Sequence, residues 1–137
     1  MESHDARKER NVFFALLGAA GLVLKGRYSG PYQQAVHSYG GNIVASFVVY
    51  YVVALLPLPP RFGKLLTAGL ALAVVELFEA LNGFGVMTNV YDPVDFAANA
   101  VGIALALAVD IVTSGIGRRR SHHGEQTASE TEGRPVA

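Results

Sequence analysis

Cysteine and tryptophan are absent from this chain of 137 residues, and charge is scarce. Without cysteine there is no disulfide framework, no thiolate nucleophile and no thiolate metal ligand. The four histidines fall at His4, His37, His122 and His123, which is not a zinc-binding spacing. Basic and acidic residues number eleven each, so no positive field draws the chain to nucleic acid. Only 16% of residues are charged, against about 25% in an average soluble domain. Those few crowd the ends: Met1 to Arg10 holds six and Arg118 to Ala137 holds seven, which leaves nine for the stretch between. A short chain has much surface for its volume, so a middle this poor in charge argues against a water-exposed fold. The composition, 51% hydrophobic, is that of a membrane protein.

A membrane-crossing helix needs about 20 mostly apolar residues. Four segments come close: Asn11 to Tyr28, Gly40 to Pro57, Leu65 to Asn82, and Val94 to Gly117. The first requires Lys25 and Arg27 to snorkel outward, and its basic lead of Arg7, Lys8 and Arg10 also suits a secretory signal peptide. Further apolar segments follow it, as they would follow a retained first helix. The second stops at the breaker Leu56-Pro57-Leu58-Pro59-Pro60. The third ends at Asn82-Gly83 and the fourth against Arg118-Arg119-Arg120. The expected architecture is therefore all-α: a polytopic membrane four-helix bundle over 11–117, with a polar N-terminus over 1–10 and a basic, then disordered, tail over 118–137. With the N-terminus inside, Arg7, Lys8, Arg10, Arg61, Lys64 and Arg118 to Arg120 collect on the inner side, and only Lys25 and Arg27 fall outside. Basic residues are retained in the cytoplasm, so both termini are expected there and the location is a prokaryotic plasma membrane. Most of the six tyrosines fall where interfacial belts are expected, Tyr50 and Tyr51 at the inner end of the second span.

Ionisable residues inside lipid cost about 2.5–3.5 kcal/mol on insertion scales and usually face a bundle interior with a partner. Glu76 sits near the middle of the third span, with Glu79 one turn outward on a neighbouring part of the same face. Gly69, Ala73, Ala80 and Gly83 recur around Glu76 as a small-residue stripe, the kind of surface that lets another backbone approach. The fourth helix carries Asp95, Asn99 and Gly102 at i, i+4 and i+7, beside a ladder of Ala98, Gly102 and Ala106. Helices three and four are expected to pack along these stripes. That would gather Glu76, Glu79, Asp95 and Asn99 in the outer half, with Arg27 as the preferred counter-charge. Asp110, far from this group, is expected to pair with Lys64 or the arginine run. A simpler account remains open: a Glu and an Asn can hold two helices in register by hydrogen bonding alone. Asp95, two residues after Pro93, also suits a helix N-terminus for dipole reasons.

The stretch VELFEALNGFGVMTNVYDPVDFAANAVGIALALAVD resembles the VanZ-like family of small bacterial membrane proteins. Glu76 falls on that family's third-helix Glu, and Asp95, Asn99 and Gly102 fall on its Asp-x3-Asn-x2-Gly pattern. The likeness covers about a third of the chain well, and each motif is short. Glu79 stands where the family usually has Gln, and the loop from Asn82 to Asp92 lacks its common Arg. Gly41, Asn42 and Ala45 occupy the region where many relatives place an Asp and a His. The resemblance implies an integral envelope protein, in a family named for a member linked to teicoplanin resistance, and implies no general activity.

The leading expectation is a non-enzymatic envelope protein whose acidic and amide cluster takes the polar head group of a membrane lipid or a lipid-linked cell-wall precursor. Two alternatives use the same residues. One is a proton- or cation-coupled transporter subunit, for which four short helices would have to form a homo-oligomer. The other is a lipid-processing enzyme with paired carboxylates as acid and base, although no nucleophile is evident and Ser46 has no neighbouring base. A hard-cation site from Glu76, Glu79 and Asp95 is chemically suitable but not demanded by spacing, and no cofactor is expected.

Overall fold

The computed structural model describes residues 4–57, 63–81 and 93–132, with side chains through 116. Asp5 in the first turn of α1 (His4–Lys25) and Lys25 in its last both complement the helix dipole. The chain reverses over Gly26 to Tyr32, where Tyr28 donates its hydroxyl hydrogen to the Pro31 carbonyl (3.2 Å) and its own carbonyl meets His37 Nε2 (3.0 Å). Tyr32 closes the reversal in the left-handed region at φ 60° and launches α2 (Gln33–Val53). α2 is capped at Ala54, just ahead of Pro57. Helix α3 is Gly63–Ala80. Helix α4, Pro93–Glu132, begins with proline at the first helical position, where its missing N–H costs nothing, and with Asp95 in the first turn. There is no strand among the described residues.

Three elements extend past the apolar stretches. α1 takes in the polar residues from His4, α2 starts seven residues before Gly40, and the backbone of α4 stays helical to Glu132, over residues expected to be a disordered tail. Alanine, arginine, glutamine and glutamate, which make up about half of these extensions, favour helix regardless of hydropathy. The breaker's Leu58 to Pro60, the inner residue Arg61 and the loop from Gly83 to Asp92 lie outside the described residues.

Side-chain pairings give the directions of the helices. Gly18 faces Val48 and Gly21 faces Val44, so α1 and α2 are antiparallel. Ser46 bonds Asn99 and Tyr50 bonds Asp110, so α2 and α4 are parallel. Lys64 bonds Ser114, which makes α3 antiparallel to α4. α2 packs against each of the other three helices, and its largest interface is with α4. That interface is close because Gly102 has no side chain: a Cβ there would run into the carbonyl oxygen of Ile43 and the Cβ of Ser46.

The small-residue ladder of α4 is buried as expected, with Ala98, Gly102 and Ala106 all inside. Its partner, however, is α2. Gly69 and Ala73 of α3 face outward, and nothing lies near Gly69. α3 instead turns Thr67 and Ala71 inward, with Ala68, Leu72 and Val75 alongside. Either stripe offers small residues, and spacing alone does not choose between them.

Tyr50 and Tyr51 do not form an interfacial belt; both are wholly buried. Tyr51 stacks on Phe14 of α1 at 5.0 Å between ring centroids and tilts against Phe47 at the same separation, and its hydroxyl donates to the Ala106 carbonyl (3.3 Å). The core is small, with Val53, Ala71, Ile103 and Ala106 completing it. Large apolar side chains on every helix point outward, among them Phe13, Leu17, Val52, Leu65, Leu77, Val101 and Val112. Asn11, Ser46, Thr67, Asp95, Asn99 and Asp110 are buried.

Candidate functional site

Two polar assemblies interrupt this interior. The first joins α2, α3 and α4. The Ser46 hydroxyl, completely buried, donates to Asn99 Oδ1 at 2.8 Å. Asn99 is itself 4% exposed, and its side chain is also hydrogen-bonded to the Glu76 carboxyl. The second carboxyl oxygen, Glu76 Oε2, is buried with no hydrogen-bond partner. Glu79 lies close enough to Glu76 for their charges to interact. Asp95, buried at 8% exposure, is one turn before Asn99 on α4.

The hydrogen-bond chain has a direction. Ser46 gives its proton to the amide oxygen, so the Asn99 amide hydrogens are the donors left for Glu76. The chain therefore ends on a carboxyl oxygen that is an acceptor while Glu76 is ionised. A buried acceptor without a donor costs about 1–3 kcal/mol, and more when charged. What would satisfy it is a donor group such as a hydroxyl or an ammonium.

Of the residues expected to gather, Glu76, Glu79 and Asn99 come together, and Asp95 is buried on the same helix as Asn99. Arg27 does not join them. It is exposed beyond the end of α1 and makes no hydrogen bond or ion pair with the cluster among the described residues. The cation that turns inward is Lys25, whose ammonium rests against Gly41. Glu76, Glu79 and Asp95 are not gathered into a metal-holding group among the described residues. Ser46, dismissed as a nucleophile for want of a base, is instead a committed hydrogen-bond donor. A lone serine in a run of Val, Phe and Tyr was the only sign of it.

The second assembly gathers side chains from all four helices onto Asp110, which is 6% exposed. Arg10 Nη2 lies 2.8 Å from Oδ1, and the Tyr50 hydroxyl donates to Oδ2 at 3.0 Å. Lys64 Nζ lies 3.3 Å from Oδ2 and also bonds the Asp110 carbonyl (2.7 Å) and Ser114 Oγ (2.8 Å). The expected pairing of Asp110 with Lys64 is present, and Arg10 and Tyr50 are partners that sequence spacing does not reveal. One turn along, Asn11 Nδ2 donates to the Ala54 carbonyl at the end of α2 (3.2 Å). This assembly is a fastening: both oxygens of the Asp110 carboxylate have partners, although Asn11 Oδ1 beside it is buried without one, as Glu76 Oε2 is.

Compared with known proteins, the chain matches no family model, no curated protein and no solved structure.

Proposed function

We propose that the chain is a multi-pass plasma-membrane protein of the bacterial envelope that holds the polar head group of a membrane lipid or lipid-linked cell-wall precursor at Glu76. The membrane reading is supported by the burial of Asn11, Asp95, Asn99 and Asp110 beside many outward-facing large aliphatic residues, a distribution that suits a lipid solvent. α4 supports it too: Pro93–Ile116 is long and apolar enough to cross, about 36 Å at 1.5 Å per residue. α1 and α3 have more internal charge, and α2 opens on Gln33, Gln34 and His37. In this reading they cross as partners of α4, with their polar residues turned inward or placed at the ends. The VanZ-like pattern at Glu76, Asp95, Asn99 and Gly102 points the same way.

The observation that carries the head-group reading is the unpartnered Glu76 Oε2 at the end of the Ser46–Asn99–Glu76 chain. On α4, Asn99 lies about 9 Å from Pro93 and about 16 Å from Asp110. In a topology with both termini cytoplasmic, the acceptor would lie in the outer half, within reach of head groups and of precursors exposed on that side. The bound group supplies hydroxyl or amine hydrogens to Glu76, while Asp95 and Glu79 add negative charge around it. The reading assigns no bond-breaking step.

Purification from native membranes in mild detergent, followed by native mass spectrometry of retained lipids, tests this. The wild type should retain a head-group class rich in donors. Glu76→Gln removes one charge-assisted hydrogen bond, worth about 1.5–3 kcal/mol, and should lower retention roughly tenfold or more. Asn99→Ala should act in the same direction. Equal retention by all three proteins, at equal folded yield, would overturn the proposal.

A further inference from the structure

The inward-turned cation offers a second site, one that does not use Glu76. Lys25 belongs to the last turn of α1, and its ammonium occupies the space where a Cβ on Gly41 would sit. Gly41 is buried beneath it, and Lys25 is half-buried. The nearby carbonyls of Leu24 and Lys25 are taken by the N–H groups of Arg27 (3.0 Å) and Tyr28 (3.1 Å). Among the described residues the ammonium makes no hydrogen bond or ion pair. A partly desolvated cation of this kind calls for an anion.

The surroundings on α2 supply neutral polar groups. Gln34, Ser38 and Gly41 are spaced i, i+4 and i+7, so they share one face of α2. Gln34 and Ser38, with Tyr32, Ala35 and Tyr39, also line an open hollow of about 390 Å³ at the start of that helix; Lys25 is not one of its lining residues and stands beside Gly41, one turn beyond Ser38. No carboxylate lines the hollow among the described residues. Tyr32 is held in the left-handed region at its edge and is exposed. For a non-glycine residue that conformation costs about 1–2 kcal/mol. Lysine donates up to three hydrogen bonds, serine one and the glutamine amide two, which together match the several acceptor oxygens of a phosphate.

We propose that Lys25, with Ser38 and Gln34, binds a phosphate group at the outer ends of α1 and α2. The proposal takes the orientation from the membrane reading above and is independent of the Glu76 site. In a bilayer the abundant source of such a group is the phosphodiester of an anionic lipid.

The experiment uses the full chain in phosphatidylcholine nanodiscs with and without phosphatidylglycerol, and in detergent with and without inorganic phosphate. Melting temperature and retained phosphatidylglycerol are the readouts. Wild type should be stabilised by the anionic lipid and should retain it. Lys25→Met should lose both effects and Lys25→Arg should keep them. Gly41→Ala should also lose them while keeping wild-type helix content, because its methyl group meets the flexible end of Lys25 and displaces only the ammonium. Stabilisation by phosphatidylglycerol alone identifies the lipid as the source; equal stabilisation by inorganic phosphate identifies a free anion. No gain for the wild type in either medium, or the same gain in Lys25→Met, overturns the site. A wild type that stays in solution without detergent would count against the membrane reading, and the inorganic phosphate arm would still decide the site.

Discussion

At Asp110 a single carboxylate carries contacts to α1 through Arg10, to α2 through Tyr50, to α3 through Lys64 and to its own helix through Ser114. Removing it leaves two cations without their shared anion; the cost approaches the roughly 3–5 kcal/mol of a buried pair at Arg10 and is screened at Lys64, whose side chain is 39% exposed. Asp110→Ala should therefore unfold at markedly lower denaturant than wild type in micelles, whereas Tyr50→Phe, losing one hydrogen bond, should cost about 1–2 kcal/mol. Equal stability of Asp110→Ala and wild type would show that the contacts carry no net energy. The same residue illustrates what sequence can reveal. An acid near the end of an apolar run must be partnered, and Lys64 was the nearest basic residue at that level; Arg10 was hidden because the whole first helix had to be placed before its reach was known. The Glu76 cluster divides in the same way. Glu76 and Asn99 could be brought together from their depths on adjacent antiparallel helices. Ser46 carries no charge and no motif, and choosing Lys25 over Arg27 depends on the bare backbone at Gly41.

At the scale of the helix, glycines that look alike in sequence have opposite roles. A methyl group at Gly102 would strike the backbone carbonyl of Ile43, and backbone cannot swing aside as a side chain can. Gly102→Ala should force α2 and α4 apart, break the Ser46–Asn99 bond between them and lower stability by the roughly 1–3 kcal/mol typical of overpacking. A methyl group at Gly69 meets nothing, so Gly69→Ala should be neutral or stabilising by up to about 1 kcal/mol, the difference in helix propensity. Melting curves of the two variants in one detergent decide this. A loss at Gly69 equal to that at Gly102 would restore the stripe on α3 as a packing surface. The four helices were legible because apolar length and the breakers around Pro57 and Asn82-Gly83 are local signals. Helix ends were less so, since the terminal residues of α1, α2 and α4 are polar and nonetheless helical. The pairing of stripes was not legible at all: it depends on which face α2 turns to α4, a matter of three-dimensional packing.

Among the described residues the molecule turns many aliphatic side chains outward and buries Asn11, Asp95, Asn99 and Asp110 between its helices. Apolar surface left in water costs about 25 cal/mol per Å², which favours the proposed membrane setting. In that proposed setting the basic residues would decide which end faces the cytoplasm. Arg7, Lys8, Arg10, Lys64 and Arg118 to Arg120 belong to one end of the helices, and Lys25 and Arg27 to the other. The absence of native cysteine makes the orientation directly measurable, because any introduced thiol is the only one present. Ser29→Cys, between α1 and α2, and Thr88→Cys, between α3 and α4, should react with a membrane-impermeant maleimide on intact cells. Ser121→Cys should react only after permeabilisation. Four crossings with both termini inside require all three results together. Labelling of Ser29→Cys but not Thr88→Cys would leave α3 and α4 not crossing as a pair, and labelling of Ser121→Cys on intact cells would reverse the C-terminal end. Either result would also relocate the sites at Lys25 and Glu76, since each is assigned to outward head groups only because the basic ends of the helices are held inside.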